Sequence, residues 1–248
     1  MCYNISIFSS MSALEAYFSA QYTDKEIYTP QYHVSSFTLP KLPVITSEAV
    51  DEIQLLTWGL VPFWAKTQQQ VEEIRVKTMN ARAESIFEKP AYRHAAQQNH
   101  CLVLVDGFYE WREFQGRKYP YYIRLKQKKP FALAGLWEEW NNKETEESLQ
   151  TFSVITTNAN PLMETIHNTK KRMPVMLPHE GEQDWISKPF SKDHMHQLLQ
   201  PYDEQEMEAY SISRLITAKG RNTNIPEVMQ PYHYPELEGG SRQQSSLF

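Results

Sequence analysis

Apolar positions along this chain fall into short runs. Residues 53–57, 101–105, 119–125, 131–136, 151–156 and 174–177 are rich in β-branched and aromatic side chains and bounded by Gly, Pro or Asn, which predicts strands. Helix signals lie between and after them. Ser85-Ile86-Phe87-Glu88 fits a capping box, a second helix starts at Pro90, and Asn160-Pro161 sets a capping side chain before a proline in the first turn. Residues 182–186 and 193–199 also read as helical. Strands and short helices interleave without regular strand–helix–strand spacing. The pattern therefore predicts an α+β fold, a single domain with a curled, barrel-like, mostly antiparallel sheet flanked by short helices, and not a doubly wound one. A chain of 248 residues suits one large domain, expected over residues 1–234. The last segment, PELEGGSRQQSSLF at 235–248, combines two glycines with polar residues and reads as a flexible tail.

Charge narrows the function. A formal net charge of -5 counts against a protein that coats duplex DNA, because that affinity comes from neutralising phosphates. It leaves room for a local basic groove drawn from Arg75, Lys77, Arg82, Arg112, Arg117, Lys118 and the cluster Lys170, Lys171, Arg172. No apolar run approaches the ~20 residues needed to cross a bilayer, and MCYNISIFSS lacks the basic-then-apolar pattern of a secretory signal. A cytoplasmic protein is expected, nucleoid-associated when bound to DNA. Its two cysteines, Cys2 and Cys101, form no C-x-x-C pair and are expected as free thiols. His194 and His196 sit two apart in a helical segment, which points their rings away from each other, so neither a metal site nor a cofactor is expected.

Candidate chemistry begins at the second residue. Methionine removal before a small side chain leaves Cys2 at the N-terminus, with an α-amine of pKa ~8 beside a thiol of pKa ~8.5, both partly nucleophilic at neutrality. An amine attacks an aldehyde to give an imine, and a thiol two carbons away closes it to a five-membered thiazolidine. Asn80, in a turn-like position, is placed to hold a ligand oxygen, and Arg82 to contact phosphate. Glu110, after a glycine turn and among aromatics in Gly107-Phe108-Tyr109-Glu110-Trp111, is a carboxyl whose pKa desolvation would raise. His167 ends a short helix, where the dipole favours its cation, and a basic loop follows. Trp58-Gly59-Leu60-Val61-Pro62-Phe63-Trp64 offers aromatic surface for unpaired bases. Trp58 is the better core candidate and Trp64 the better stacking one.

Taken in order, Cys2, WGLVPFW at 58–64, NARAE at 80–84, GFYEW at 107–111 and the ITTNAN, IH and RMP segments between 155 and 174 resemble the SOS-response-associated peptidase family. The resemblance implies an abasic-site processing protein that links Cys2 to the ring-opened deoxyribose in single-stranded DNA. It implies that Asn80 orients the amine or sugar, that Glu110 shuttles protons, and that His167 protonates the sugar ring oxygen. Arg82, Trp64, Lys170, Lys171 and Arg172 then hold the strand. Two departures stand out: Tyr3 and Asn4 follow the cysteine where the family usually has glycine and arginine, and four residues separate His167 from Arg172, more than the usual spacing.

The tail adds one more expectation. Gln244, Leu247 and Phe248 resemble the short Gln-x-x-Leu-Phe peptide that docks on a bacterial sliding clamp. The competing functions are a cysteine peptidase or amidase with Cys2 as nucleophile, weakened because only Met1 precedes Cys2, and a noncovalent DNA-binding adaptor to the clamp. A monomer is expected.

Overall fold

The run His100–Val105 is buried at every position and lies in the middle of a sheet. On one side it pairs with Lys41–Thr46 (Val44 opposite Val103), on the other with Phe131–Asn141 (Gly135 opposite Cys101), both antiparallel. Lys41–Thr46 turns back into Ala49–Trp58, and Phe131–Asn141 into Ser148–Asn158. These outer strands then meet in parallel, Thr57 against Thr151 and Trp58 against Phe152. That contact closes five strands into a barrel whose filling includes Leu56, Trp58, Val103, Leu133, Phe152 and Val154. Closure removes the exposed edges an open sheet of this size would carry. In a computed structural model, residues 2–23, 28–143, 145–187 and 192–237 are described.

A second sheet, entirely antiparallel, runs in the order Met207–Ser211, Arg117–Leu125, Gly107–Phe114, Asn4–Ile7, Gln31–Ser35. A single residue, Asp106, separates His100–Val105 of the barrel from Gly107–Phe114 of this sheet. Its carboxylate accepts the backbone N–H groups of Phe8 (2.6 Å) and Ser9 (2.7 Å) and the Ser9 hydroxyl, anchoring the N-terminal strand at the junction.

The α+β barrel agrees with the pattern of short apolar runs. Several local expectations do not. Gly107-Phe108-Tyr109-Glu110-Trp111 is not a glycine turn but the start of an eight-residue strand. Gly107 is needed because a Cβ there would stand 2.4 Å from the Tyr122 hydroxyl. No helix starts at Ser85: a 3-10 turn ends there, and the Ser85 hydroxyl is buried without a hydrogen-bond partner among the described residues, so no capping box forms. Pro90 opens further turns before the four-residue helix Ala95–Gln98. Burial of Ile86, Tyr92, Ala95 and Ala96 against the core overrides the local signal. Asn160 does cap Pro161–Ile166, its Oδ1 accepting the Met163 N–H at 2.9 Å.

Gly59 follows the barrel strand with φ +112°, and a Cβ would lie 2.7 Å from the Arg75 carbonyl oxygen. Gly59→Ala is expected to cost about 1–3 kcal/mol, read as a lower urea midpoint. An unchanged midpoint would mean that the loop relaxes.

Pro235–Leu237, the start of the expected tail, form a 3-10 turn, and Glu236 accepts a hydrogen bond from the Tyr119 hydroxyl at 3.0 Å. Gln244, Leu247 and Phe248 lie outside the described residues. No helix among the described residues is long and apolar enough to cross a membrane.

Candidate active site

The N-terminal strand delivers Cys2. Ile5 opposes Phe108 and Ser6 opposes Gly107. The same antiparallel register carried back brings residue 3 to the level of Glu110. Cys2 is fully buried, and its thiol is pushed well above its usual range by that burial and by the Glu110 charge. The thiol is therefore not partly ionised at neutral pH, contrary to the expectation from free-cysteine chemistry.

Glu110 is buried among aromatics, and desolvation lifts its carboxyl to about 7. His167 comes from the opposite side. It closes the helix Pro161–Ile166, and its Nδ1 lies 2.7 Å from the Arg172 carbonyl oxygen. A carbonyl only accepts, so Nδ1 carries the proton and Nε2 is the unprotonated ring nitrogen. That Nε2 stands 3.8 Å from a Glu110 carboxylate oxygen, beyond a direct hydrogen bond. Burial lowers His167 to about 4, with Lys170 and Arg172 adding to the effect. The cationic histidine expected from the helix dipole is thus overruled by desolvation. At neutral pH the site holds a carboxyl near its midpoint beside an unprotonated imidazole.

A backbone staple holds these two groups together. Asn168 Oδ1 accepts the Glu113 N–H at 3.0 Å while its Nδ2 donates to the Glu113 carbonyl at 2.8 Å. The loop after His167 is thereby clipped to the strand that carries Glu110. Nothing in the sequence marks Asn168, because the pairing spans 55 residues.

Asn80 opens the strand Asn80–Arg82, paired in parallel with Ser148–Asn158, and does not sit in a turn. Its carboxamide oxygen and nitrogen are buried without hydrogen-bond partners among the described residues. An unsatisfied buried amide costs about 1–3 kcal/mol, which fits a group reserved for a ligand. Two residues apart on a strand, Asn80 and Arg82 project from the same face.

Arg82, Glu110, His167, Lys170 and Arg172 line one cleft of about 550 Å³, together with Tyr3, Asn4, Trp111, Glu113, Lys118 and Thr169. The structure thus gathers Arg82, Lys170, Glu110 and His167 into one space. Cys2, which is fully buried, and Asn80, whose amide atoms are buried, do not line it. Arg172 is committed elsewhere: its guanidinium binds both carboxylate oxygens of Glu84, the Thr156 carbonyl (2.6 Å) and Asn158 Oδ1 (3.2 Å). It reads as a crosspiece between cleft walls more than as a free phosphate grip. Lys171 lies off the cleft with its Nζ 3.7 Å from Glu164. Trp64 is 42% exposed, also outside the cleft, and its indole N–H donates to the Pro90 carbonyl at 3.2 Å. Trp58 is core, as expected. Sequence reasoning overlooked the cleft roles of Tyr3 and Asn4, named only as departures, and of Trp111 and Glu113. Among the described residues no group of three or more His, Cys, Asp or Glu is arranged to hold a metal ion.

Known proteins resemble this chain over most of its length. Residues 1–219 match the family model described as SOS response associated peptidase. The abasic site processing protein YoqW of Bacillus subtilis is 37% identical over 235 residues, covering 94% of this chain and 100% of its own length. The abasic site processing protein HMCES of Xenopus tropicalis is 28% identical, covering 90% of this chain and 72% of its own. A crystal structure of a protein from Bacteroides thetaiotaomicron superposes with a TM-score of 0.88 at 38% identity, over 94% of this chain and 100% of that one. With the family model spanning 219 of 248 residues, the chain belongs to the SOS response associated peptidase family.

Proposed function

We infer that this protein processes abasic sites in single-stranded DNA and does so covalently, through a thiazolidine formed by the α-amine and thiol of Cys2 once Met1 is removed. The observation that carries this reading is the pairing of Glu110, poised at about 7, with an unprotonated His167 Nε2 3.8 Å away in the cleft toward which the N-terminal strand delivers Cys2. The relatives' names supply the substrate class.

An abasic sugar is mostly a closed hemiacetal. Opening it moves one proton from the anomeric hydroxyl to the ring oxygen. His167 Nε2 takes that proton and returns it to the ring oxygen, so the step needs no imidazolium at the start. The Cys2 amine then adds to the freed aldehyde carbon. Glu110 protonates the hydroxyl of the carbinolamine, which leaves as water, and as carboxylate removes the extra proton from nitrogen. The sulfur adds to the imine carbon, its proton passing through Glu110 to the ring nitrogen. In sum, one aldehyde and one aminothiol give one thiazolidine and one water. Asn80 orients the amine or sugar, Arg82 and Lys170 bind the flanking phosphates, and Trp64 offers a more distant stacking surface.

The test is a denaturing gel after mixing the protein with an oligonucleotide bearing an abasic site. A shifted band is expected with the native chain and its loss with Cys2→Ala. Absence of the native band, or its survival in Cys2→Ala, overturns the reading.

A further inference from the structure

Outside the acid/base pair, the cleft carries an aromatic feature that this chemistry does not use. Tyr3, on the cleft wall beside Glu110 and Arg82, packs its ring against Phe37, with centroids 5.1 Å apart and planes inclined by 30°. Phe37 is 67% exposed, the highest value among the exposed large apolar side chains of the described residues. Burying a phenylalanine is worth roughly 1.5–3 kcal/mol, so a ligand that covers this ring gains from doing so. The backbone fixes the pair as a unit. Phe37 sits in the 3-10 turn Ser36–Thr38, whose first N–H donates to the Tyr3 carbonyl at 2.8 Å. Leu39, left-handed at φ 51°, closes the turn by donating its N–H to the Ser36 carbonyl at 2.9 Å. The position of the exposed ring is therefore set by the residue next to Cys2.

The surrounding charge defines what fits. Residue 4 is a neutral asparagine whose Oδ1 lies 3.0 Å from His33 Nε2, so no cation comes from that position. The positive side chains lining the cleft are Arg82, Lys118, Lys170 and the committed Arg172. An occupant matching both features has an apolar planar face joined to an anionic link, as a nucleotide does. We propose that Tyr3 and Phe37 form a stacking platform for the nucleobase next to the abasic sugar, with Phe37 supplying the open face and Tyr3 buttressing it. The proposal rests on the reading of single-stranded DNA as the substrate, but it concerns noncovalent binding and stands or falls apart from the crosslink.

A single strand containing a tetrahydrofuran abasic analogue, which has no aldehyde and cannot react, separates the two. With 2-aminopurine placed in turn at the nucleotides flanking the analogue, the native protein is expected to quench its fluorescence at one adjacent position. Phe37→Ala is expected to abolish that quenching and weaken binding about tenfold or more, and Phe37→Trp to restore both. A lost stack leaves the slope of log affinity against log salt unchanged, whereas a lost phosphate contact would lower it by about 0.7 on a single strand. Because Phe37 is a surface residue, its truncation should leave the thermal midpoint in place. Binding by Phe37→Ala within twofold of native, or no position-specific quenching by the native protein, overturns the platform. Quenching without a covalent band on an aldehyde-bearing oligonucleotide would instead sink the crosslinking chemistry and leave the platform standing.

Discussion

Cys2→Ser is expected to attach to abasic DNA only when borohydride is present. The serine variant keeps the α-amine, and the small residue still permits removal of Met1, so an imine forms. Its hydroxyl is a far weaker nucleophile than sulfur and does not close a stable ring, so the imine hydrolyses unless reduced. The native protein should give a band that survives denaturation without any reductant. Comparing both proteins with and without borohydride on one gel checks this. A reductant-independent band from Cys2→Ser equal to the native one would show that sulfur has no part in the adduct and would remove the thiazolidine. The structure sharpens the expectation, since burial and the nearby Glu110 charge disfavour the thiolate and so favour the amine as the first nucleophile. The order is then amine first and sulfur second, the thiol proton passing through Glu110 to the imine nitrogen.

Glu110→Gln should have opposite effects on function and stability. Losing the proton shuttle is expected to slow adduct formation about 10²- to 10⁴-fold. Stability responds differently because burial raises the native carboxyl from 4.5 to about 7. Between those values the native state binds more protons than the unfolded chain, so stability falls as pH rises through that window. The penalty is absent below about 4.5 and complete above about 7. Its size is roughly 3 kcal/mol, equivalent to about 6–12 °C for a chain of this length. Glu110→Gln should therefore melt well above the native protein at pH 8 and close to it at pH 4.5. Equal shifts at both pH values in calorimetry would show that Glu110 is not a desolvated acid in the native state.

The sequence was informative where chemistry is local. Cys2 is defined by its position, Asn160 by its cap, and the barrel strands by apolar runs that no amphipathic helix would carry. It misled at Ser85, where a capping box competes with burial of Ile86 and loses, and at Gly107, where a glycine that signals a turn is kept for the close approach of Tyr122. Glu110 was legible as an acid because its aromatic neighbours adjoin it in sequence. His167 was legible as a residue but not in its charge, since the dipole of a six-residue helix is weaker than the desolvation that the surrounding strands impose.

Cys2 as a potential aminothiol, the order of motifs that marks the family, and the α+β class follow from the sequence alone, because side-chain chemistry and the period of apolar residues are local properties. Tertiary structure alone decided that strands separated by about a hundred residues bring Cys2 to Glu110, and that Asn168 clips His167 beside them. It also decided that Arg172 is spent on Glu84 and that Tyr3, on the cleft wall, packs against Phe37. Those are matters of which groups share a low-dielectric space, and that is fixed only when the barrel closes and the N-terminal strand docks beside it.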